Sequence, residues 1–179
     1  MNKEDVLEVL ISEEKLKQIC KDLGKQISRD YEGKNLLLVS VLKGAVVFLS
    51  DLLREITCDC QIDFMAVSSY SGTKSTGFVK FKKDLDISPE GCDILIVEDI
   101  LDSGVTLAYL KNILADRNAA SIKICTLLDK PDNRKSDIKA DYVGAVIPDE
   151  FVVGYGLDFN EKYRNLPYVG VLSPAVYGG

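Results

Sequence analysis

The strongest constraint on this chain is an apolar run that leads into two acids, then a turn, then a helical pattern. Residues 94–107 read ILIVEDILDSGVTL. The short β-branched run predicts a strand that is buried on both faces of a sheet. Apolar residues then recur at helical spacing, which predicts a helix that begins near Val105: Leu107, Leu110, Leu114 and Ala115. The DSGVT turn therefore lies at a helix N-terminus and at the carboxyl end of a buried strand.

This turn has the chemistry of an anion site. Free backbone N–H groups and the hydroxyls of Ser103 and Thr106 suit a phosphate group. The upstream acids Glu98 and Asp99 suit either sugar hydroxyls or a hydrated magnesium ion. Each piece alone is more typical of a solvated loop or of an ordinary helix cap at Asp102. The combination in one strand-turn-helix unit favours the phosphate site.

Length and charge narrow the class of protein. The 179 residues predict one domain with a full core, and 46% hydrophobic with 28% charged residues is ordinary for a globular protein. A net charge of −6 argues against a large nucleic-acid footprint. The N-terminus MNKED is acidic, and no apolar run approaches the roughly 20 residues that span a bilayer. We expect no secretion signal and no membrane partner.

The chain contains no histidine, which excludes histidine triads and histidine-ligated zinc sites. Proton transfer must therefore fall to Asp, Glu, Lys or Tyr. The five cysteines include no CxxC pair, and only Cys58 and Cys60 are close in sequence. A metal at this pair is possible, but free thiols in a reducing cytoplasm are the favoured interpretation.

The remaining pattern alternates strands with helices. We expect a helix from about 13 to 30 with Ser12 as its N-cap, a helix over 45–53, and strands over 36–41, 61–68, 78–82, 121–128, 142–147 and 169–172. Such alternation predicts a mostly parallel sheet with helices on both faces, which binds ligands at the carboxyl ends of its strands. Lys43, Glu98, Asp102 and Lys130 all fall near such ends, so we expect them in one site.

Two further segments have two interpretations each. Lys43-Gly44 lies at a strand-to-helix turn and is either a plain turn with a solvated lysine or a second anion site, where glycine permits close backbone approach. Residues 68–77 are small, polar and flanked by glycine. They form either a flexible hairpin tip or a lid that closes over substrate.

Together these segments resemble the hypoxanthine-guanine phosphoribosyltransferases of the type I phosphoribosyltransferase family. Four motifs carry the resemblance over nearly the whole chain: LKG at 42–44, the Ser69-Tyr70 loop, residues 98–106, and Lys130 with FVVGYGLD at 151–158. The last stretch separates purine salvage enzymes from orotate, uracil and regulatory relatives. The resemblance implies one α/β domain over 1–179, with a mostly parallel central sheet flanked by helices and a small hood built from chain-terminal segments.

The resemblance also implies a reaction. A nitrogen of hypoxanthine or guanine attacks C1 of 5-phosphoribosyl 1-pyrophosphate, pyrophosphate leaves through an oxocarbenium-like state, and IMP or GMP forms. It implies Mg²⁺ as cofactor, small-molecule substrates, a cytoplasmic location, and a homodimer or homotetramer. Two alternatives stay open: a preference for xanthine, and a regulatory protein on the same fold that binds nucleotide and nucleic acid. The acidic charge and the lack of a Lys/Arg cluster argue against the second.

The residue roles that the resemblance implies fall into four groups. Asp102 is the expected general base, which takes the proton from purine N7. The expected phosphoribosyl pyrophosphate ligands are Lys43, Gly44, Glu98, Asp99, Asp102, Ser103, Gly104, Val105, Thr106 and Arg164. The expected purine contacts are Lys130, Phe151, Val152 and Asp158, the expected metal ligands Glu98, Asp99 and Asp158, and the expected lid residues Ser69 and Tyr70.

Three details accompany these roles. Lys130 would donate to the 6-oxo group of the base, Phe151 would stack on the ring, and the Val152 backbone would bind the ring edge. The peptide between Leu42 and Lys43 is typically cis in the family. Val105 stands where some relatives carry lysine, and we expect its side chain to point away from the turn.

Overall fold

The computed structural model describes residues 5–69 and 79–178. In chain order the elements are β1 (Val6–Ile11), α1 (Glu13–Asp30), β2 (Leu36–Val41), α2 (Val46–Glu55), β3 (Cys60–Ser69), β4 (Val79–Lys83), β5 (Asp93–Leu101), α3 (Val105–Asp116), β6 (Ser121–Asp129), β7 (Tyr142–Val146), β8 (Val152–Val153), β9 (Val169–Leu172) and α4 (Pro174–Tyr177). Within these ranges, no helix is long and apolar enough to cross a membrane.

The central sheet has six strands in the order β4-β3-β2-β5-β6-β7. All its neighbouring pairs are parallel except β3 with β4, which is antiparallel. Strands that belong to βαβ units run parallel because each helix returns the chain to the same end of the sheet. The predicted fold class, a mostly parallel sheet with helices on both faces, is confirmed.

The two faces of the sheet bury alternate residues of the same strands. On β5, Leu95 and Val97 pack into the core beneath α1 and α2. Ile94 and Ile96 pack on the other face, beneath α3. Because successive side chains point to opposite faces, a strand covered on both sides must be apolar throughout. This explains the continuous apolar run that dominates the sequence.

A second, smaller sheet forms the hood. Its order is β1-β9-β8, and both pairings are antiparallel. The N-terminal strand therefore pairs with a strand close to the C-terminus, and β8 brings residues 152–153 beside them. The expected hood of chain-terminal segments is confirmed.

The structure corrects the expected helix cap and one boundary. The N-cap of α3 is Gly104, with φ 76°, and no side chain in the described part of the chain caps this helix. The interpretation of Asp102 as a cap is therefore wrong. A Cβ on Gly104 would lie 2.5 Å from both Ser136 Oγ and Ile138 Cγ2, so the position demands glycine for space as well as for its positive φ. The boundary of β5 also differs. The apolar run was expected to end before Glu98 and Asp99, whereas the strand includes both acids and ends at Leu101.

The predicted lid lies mostly outside the described residues. Strands β3 and β4 pair antiparallel up to Ser69 and Val79, and the structure does not describe Tyr70 or the residues up to 78. The lid therefore stays a prediction.

Candidate active site

Three adjacent strands deliver the predicted site residues to one edge of the central sheet. Strand β2 leads into Lys43 and Gly44, β5 into Asp102, and β6 into Lys130. Because β2, β5 and β6 are parallel neighbours, these segments follow the same ends of their strands. The sheet brings the predicted residues together.

The phosphate turn presents open backbone donors. Residues 102–104 connect β5 to α3, and Val105 and Thr106 begin the helix, whose first N–H groups have no acceptor within the helix. Gly104 is buried, whereas Val105 is 49% exposed. An anion at this turn would meet the N–H groups and the positive end of the helix dipole.

The acids of β5 are held in an environment that disfavours their charge. Glu98 Oε2 is buried and has no hydrogen-bond partner among the described residues. Burial, and then the charge of Asp99, raise the pKa of Glu98 well above its ordinary value. Burial also raises the pKa of Asp99 to about 6, although its Oδ1 accepts a hydrogen bond of 2.8 Å from the Ile100 N–H. Hydroxyl donors or a cation would relieve this penalty.

The second anion loop packs directly against Asp99. The Leu42-Lys43 peptide is cis, as the resemblance implied. A Cβ on Gly44 would collide with the Asp99 carboxylate, so any other residue there would displace that side chain. The backbone of this loop and the acid pair are thus in contact.

A segment near residue 160 closes over the same loop. Lys43 Nζ pairs with Glu161 Oε1 at 3.1 Å, and both side chains are mostly exposed. Arg164 pairs with Asp158 at 2.8 Å and donates to the Gly156 carbonyl at 2.7 Å. Of the two pairs only Lys43–Glu161 is exposed, and because exposed ion pairs contribute little to stability, a polyanionic ligand can replace it at low cost.

The base end of the site contains a buried ammonium. Lys130 is 7% exposed, and its Nζ lies 2.8 Å from Asp149 Oδ1 and 3.1 Å from the Glu150 carbonyl oxygen. An ammonium has three N–H donors, so these two contacts leave one for a ligand carbonyl. Its burial makes an unmatched ligand group costly.

Two further predicted purine contacts lie in the hood. Phe151 is 39% exposed, with its ring stacked on Tyr177 at 4.9 Å and edge-on to Phe159 at 5.7 Å. Val152 lies on β8, an edge strand within the described part of its sheet, so one side of its backbone does not pair with a neighbouring strand.

Asp102, the expected general base, differs in the bonding of its side chain and its main chain. Its Oδ1 is buried and has no hydrogen-bond partner in the described part of the chain. Its main-chain carbonyl, in contrast, accepts a hydrogen bond of 2.9 Å from Arg134 Nε. The backbone is therefore held in place, while Oδ1 of the carboxylate has no partner among the described residues.

The expected metal ligands do not form a single cluster. Residues 5–69 and 79–178 contain no group of three or more His, Cys, Asp or Glu side chains arranged to hold a metal ion. Glu98 and Asp99 are neighbours, whereas Asp158 is engaged by Arg164. Any metal here would need ligands from the substrate as well.

Sequence reasoning missed the partners of the predicted residues. Glu161 pairs with Lys43, and Asp149 pairs with Lys130. The i,i+3 spacing of Glu161 and Arg164 was the only sequence signal for a contact among these residues. Their side chains do form an ion pair, at 3.2 Å. Nothing in the sequence pattern singled out Arg134, which lies in a charged loop.

Comparisons with known proteins agree with this geometry. The family profile described as "Phosphoribosyl transferase domain" matches residues 9–160. The chain is 57% identical over 178 residues to the hypoxanthine-guanine phosphoribosyltransferase of Bacillus subtilis (strain 168), with 99% of each chain covered. It is 56% identical over 174 residues to that of Staphylococcus aureus (strain Mu50 / ATCC 700699), with 97% of each covered.

Solved structures agree as well. A crystal structure of a hypoxanthine phosphoribosyltransferase from Staphylococcus aureus superposes with a TM-score of 0.95 at 55% identity, covering 98% of this chain and 96% of that one. A hypoxanthine phosphoribosyl transferase of Trypanosoma cruzi superposes with a TM-score of 0.93 at 39% identity, covering 99% and 97%. The chain belongs to the phosphoribosyltransferase family, as a close relative of its hypoxanthine-guanine members.

Proposed function

We propose that this chain transfers the 5-phosphoribosyl group of 5-phosphoribosyl 1-pyrophosphate to hypoxanthine or guanine, producing IMP or GMP and pyrophosphate in purine salvage. One observation carries the proposal: neighbouring strands β2, β5 and β6 lead two anion-binding turns and one buried lysine to a single edge. The two substrates together need this set. 5-Phosphoribosyl 1-pyrophosphate has a phosphate and a pyrophosphate, and the purine is the base.

The two turns divide the substrate anions between them. The 5′-phosphate binds the N–H groups and hydroxyls of residues 102–106. The ribose hydroxyls donate to Glu98 and Asp99, which supplies a partner for the buried Glu98 Oε2. The pyrophosphate binds at Lys43, Gly44 and Arg164, and replaces the ion pairs that Lys43 makes with Glu161 and Arg164 makes with Asp158.

The base end selects a 6-oxopurine. The third N–H of Lys130 donates to the 6-oxo group, while the exocyclic amine of adenine would place a donor against a donor. Phe151 stacks on the base, and the free edge of β8 at Val152 binds the ring edge. A site built on such a hydrogen bond can reject the wrong group by about 10⁴-fold.

Asp102 acts as the general base. As the glycosidic bond forms, positive charge develops on the purine and its N7 proton becomes more acidic. The unbonded Oδ1 of Asp102 accepts that proton. Pyrophosphate carries away the electron pair of the broken C1–O bond.

The donor set fits magnesium. Glu98, Asp99 and Asp158 offer only carboxylate oxygens, the buried oxygen of Glu98 lacks a partner among the described residues, and a nearby cation would favour the ionised acids. Mg²⁺ typically binds one or two carboxylates together with substrate phosphates. When bound, it would neutralise charge on the departing pyrophosphate.

Three wider expectations belong to the same proposal: residues 1–179 act as one domain, the chain works in the cytoplasm as a homodimer or homotetramer, and the Ser69-Tyr70 loop serves as the lid. The match of relatives over 97–99% of the chain supports the first, and the other two rest on the family resemblance. Sedimentation velocity of the purified chain measures the oligomeric state directly.

The test of the transferase assignment is product formation by the full chain. With 5-phosphoribosyl 1-pyrophosphate, hypoxanthine and Mg²⁺, we expect IMP and pyrophosphate in equal amounts, and none with EDTA. Gly44→Ala should abolish the reaction, because a Cβ there collides with Asp99. Gly33→Ala is the control, because a Cβ there meets nothing within 4 Å, and its positive φ makes the strain of replacing a glycine visible without any collision. Absence of IMP with the unaltered chain would overturn the proposal.

A further inference from the structure

Most of the contacts at the back of the phosphate turn come from one short segment, residues 134–136, and the Lys130 N–H adds one at 3.0 Å to the Leu101 carbonyl oxygen. Arg134 Nη2 donates to the Leu101 carbonyl oxygen at 3.2 Å, and Arg134 Nε donates to that of Asp102 at 2.9 Å. The Ser103 carbonyl oxygen accepts from the Lys135 N–H at 2.9 Å and from Ser136 Oγ at 3.3 Å. Three successive carbonyl groups of the turn thus point toward the same segment.

Arg134 is itself firmly anchored. Its guanidinium forms an ion pair with Asp129 at the end of β6 and donates to the Ile138 carbonyl at 2.8 Å. The side chain is only 16% exposed. A planar guanidinium with five N–H donors can make all these bonds at once, which an ammonium cannot.

These contacts determine where the N–H groups of the turn point. In a trans peptide the C=O and the following N–H point in opposite directions. If the carbonyls of Leu101, Asp102 and Ser103 face Arg134 and its neighbours, then the N–H groups of residues 102–104 face away from them. That opposite side is where the proposed 5′-phosphate binds.

We propose that Arg134 is a positioning residue for the phosphate turn: through the carbonyls of Leu101 and Asp102 it aims the turn's N–H groups at the 5′-phosphate. This inference rests on the proposed function. Arg134 does not touch the substrate, and Ser136 contributes in the same way through Ser103. The pyrophosphate loop at residues 42–44 makes none of these contacts, so it is not affected.

The proposal predicts a split between two ligands of the same site. A nucleoside monophosphate such as GMP has the 5′-phosphate, whereas pyrophosphate binds at the other loop. In Arg134→Lys the ion pair with Asp129 can persist. The planar guanidinium that donates to the carbonyl groups of both Leu101 and Asp102 is lost. We expect the dissociation constant of GMP to rise by about 10- to 100-fold, since small misplacements of binding groups have effects of that size.

The experiment compares GMP binding by calorimetry with the KM of pyrophosphate in the reverse reaction. Arg117→Lys is the matched control, because Arg117 makes a two-point ion pair with Asp84, at 2.7 Å for each bond, away from the turn. We expect both variants to lose thermal stability, but only Arg134→Lys to bind GMP more weakly. The KM of pyrophosphate should stay within about twofold in both, since the loop that binds it is unchanged.

Two outcomes overturn the proposal: unchanged GMP affinity in Arg134→Lys, or equal weakening of GMP and pyrophosphate. If Arg134→Lys does not fold, Ser136→Ala provides the test, with GMP weakened by about 2- to 5-fold for the loss of one hydrogen bond and pyrophosphate unaffected. An unaltered chain that binds GMP but forms no product overturns the proposed function alone. An unaltered chain that does not bind GMP overturns both.

Discussion

The main chain of Asp102 is held by Arg134, whereas one oxygen of its carboxylate has no hydrogen-bond partner among the described residues. Because it does not cap α3, replacing it by Asn should not disturb the helix. We predict that Asp102→Asn lowers turnover by about 10²- to 10⁴-fold, the usual contribution of a general base, with binding of 5-phosphoribosyl 1-pyrophosphate retained. Near-normal turnover of hypoxanthine in this variant would assign the proton to Glu98, Asp99 or water.

Asp99 should make the ligand-free protein sensitive to pH. Burial raises its pKa from 3.8 to about 6, so the folded state prefers the protonated acid. The contribution of Asp99 to stability is therefore present below about pH 4 and is lost as pH rises to about 6, a change of roughly 3 kcal/mol or less. We predict that the Tm of Asp99→Asn minus that of the unaltered protein increases between pH 4 and 6, without ligand or Mg²⁺, and then levels off.

Asp84→Asn is the control for this measurement. The hydrogen bonds from Arg117 lower the pKa of Asp84, so its ionised form is favoured in the folded state. Its contribution is lost as pH falls, and the Tm difference for Asp84→Asn should become more negative as pH rises. A Tm difference for Asp99→Asn that is flat, or that follows Asp84→Asn, would contradict the account of the acid pair.

At the scale of elements, helix α2 is tied to the segment that binds the base. Tyr155 Oη donates to Asp51 Oδ2 at 2.6 Å, which links α2 to residues 151–158. We predict that Tyr155→Phe costs about 1–2 kcal/mol in the free energy of unfolding and raises the KM of hypoxanthine by roughly 10-fold. Denaturant titration and steady-state kinetics measure the two effects.

Tyr142→Phe is the matched control for this tie. Its hydroxyl bonds Asp30 Oδ2 at 3.1 Å, and it is as buried as Tyr155 but lies on β7, against α1. It should lose a similar free energy of unfolding with the KM of hypoxanthine unchanged. If both variants leave the KM of hypoxanthine unchanged, the hydrogen bond between Tyr155 and Asp51 contributes to stability alone.

The elements also show what a sequence can predict. The β5-turn-α3 unit was predicted correctly because its signals, an apolar run and a helical period, are local. The N-cap of α3 was not predicted correctly, because the DSG sequence does not show which of its residues adopts the positive φ found at Gly104. The bond from Arg134 to Asp102 joins residues 32 apart in the chain, and no periodicity encodes such a contact. Four site residues, Lys43, Glu98, Asp102 and Lys130, followed from their positions at strand ends. The other site residues came from the family resemblance, and the partners of both groups required the structure.

At the scale of the whole molecule, one prediction concerns the lid that we expect between two strands of the central sheet. Residues 70–77 lie between β3 and β4, outside the described part of the chain. We predict that Tyr70→Ala lowers turnover and leaves the Tm unchanged, because a lid excludes water from the site without contributing to the core. A variant with unchanged kinetics would make this segment a plain loop.

The net charge of −6 bears on the rival in which this fold serves as a nucleotide-binding regulator on nucleic acid. Such a protein would be retained on a nucleic-acid column at physiological salt, and we expect this chain to pass through it. The family match and the arrangement of the site both favour an enzyme that acts on small molecules.

The most direct test of the central claim is a side-by-side measurement of kcat/KM for hypoxanthine, guanine and adenine with saturating 5-phosphoribosyl 1-pyrophosphate and Mg²⁺. The buried ammonium of Lys130 should accept the two 6-oxopurines and reject adenine by about 10⁴-fold. Comparable values for adenine and hypoxanthine would contradict the role of Lys130, and no transfer to either 6-oxopurine would contradict the account as a whole.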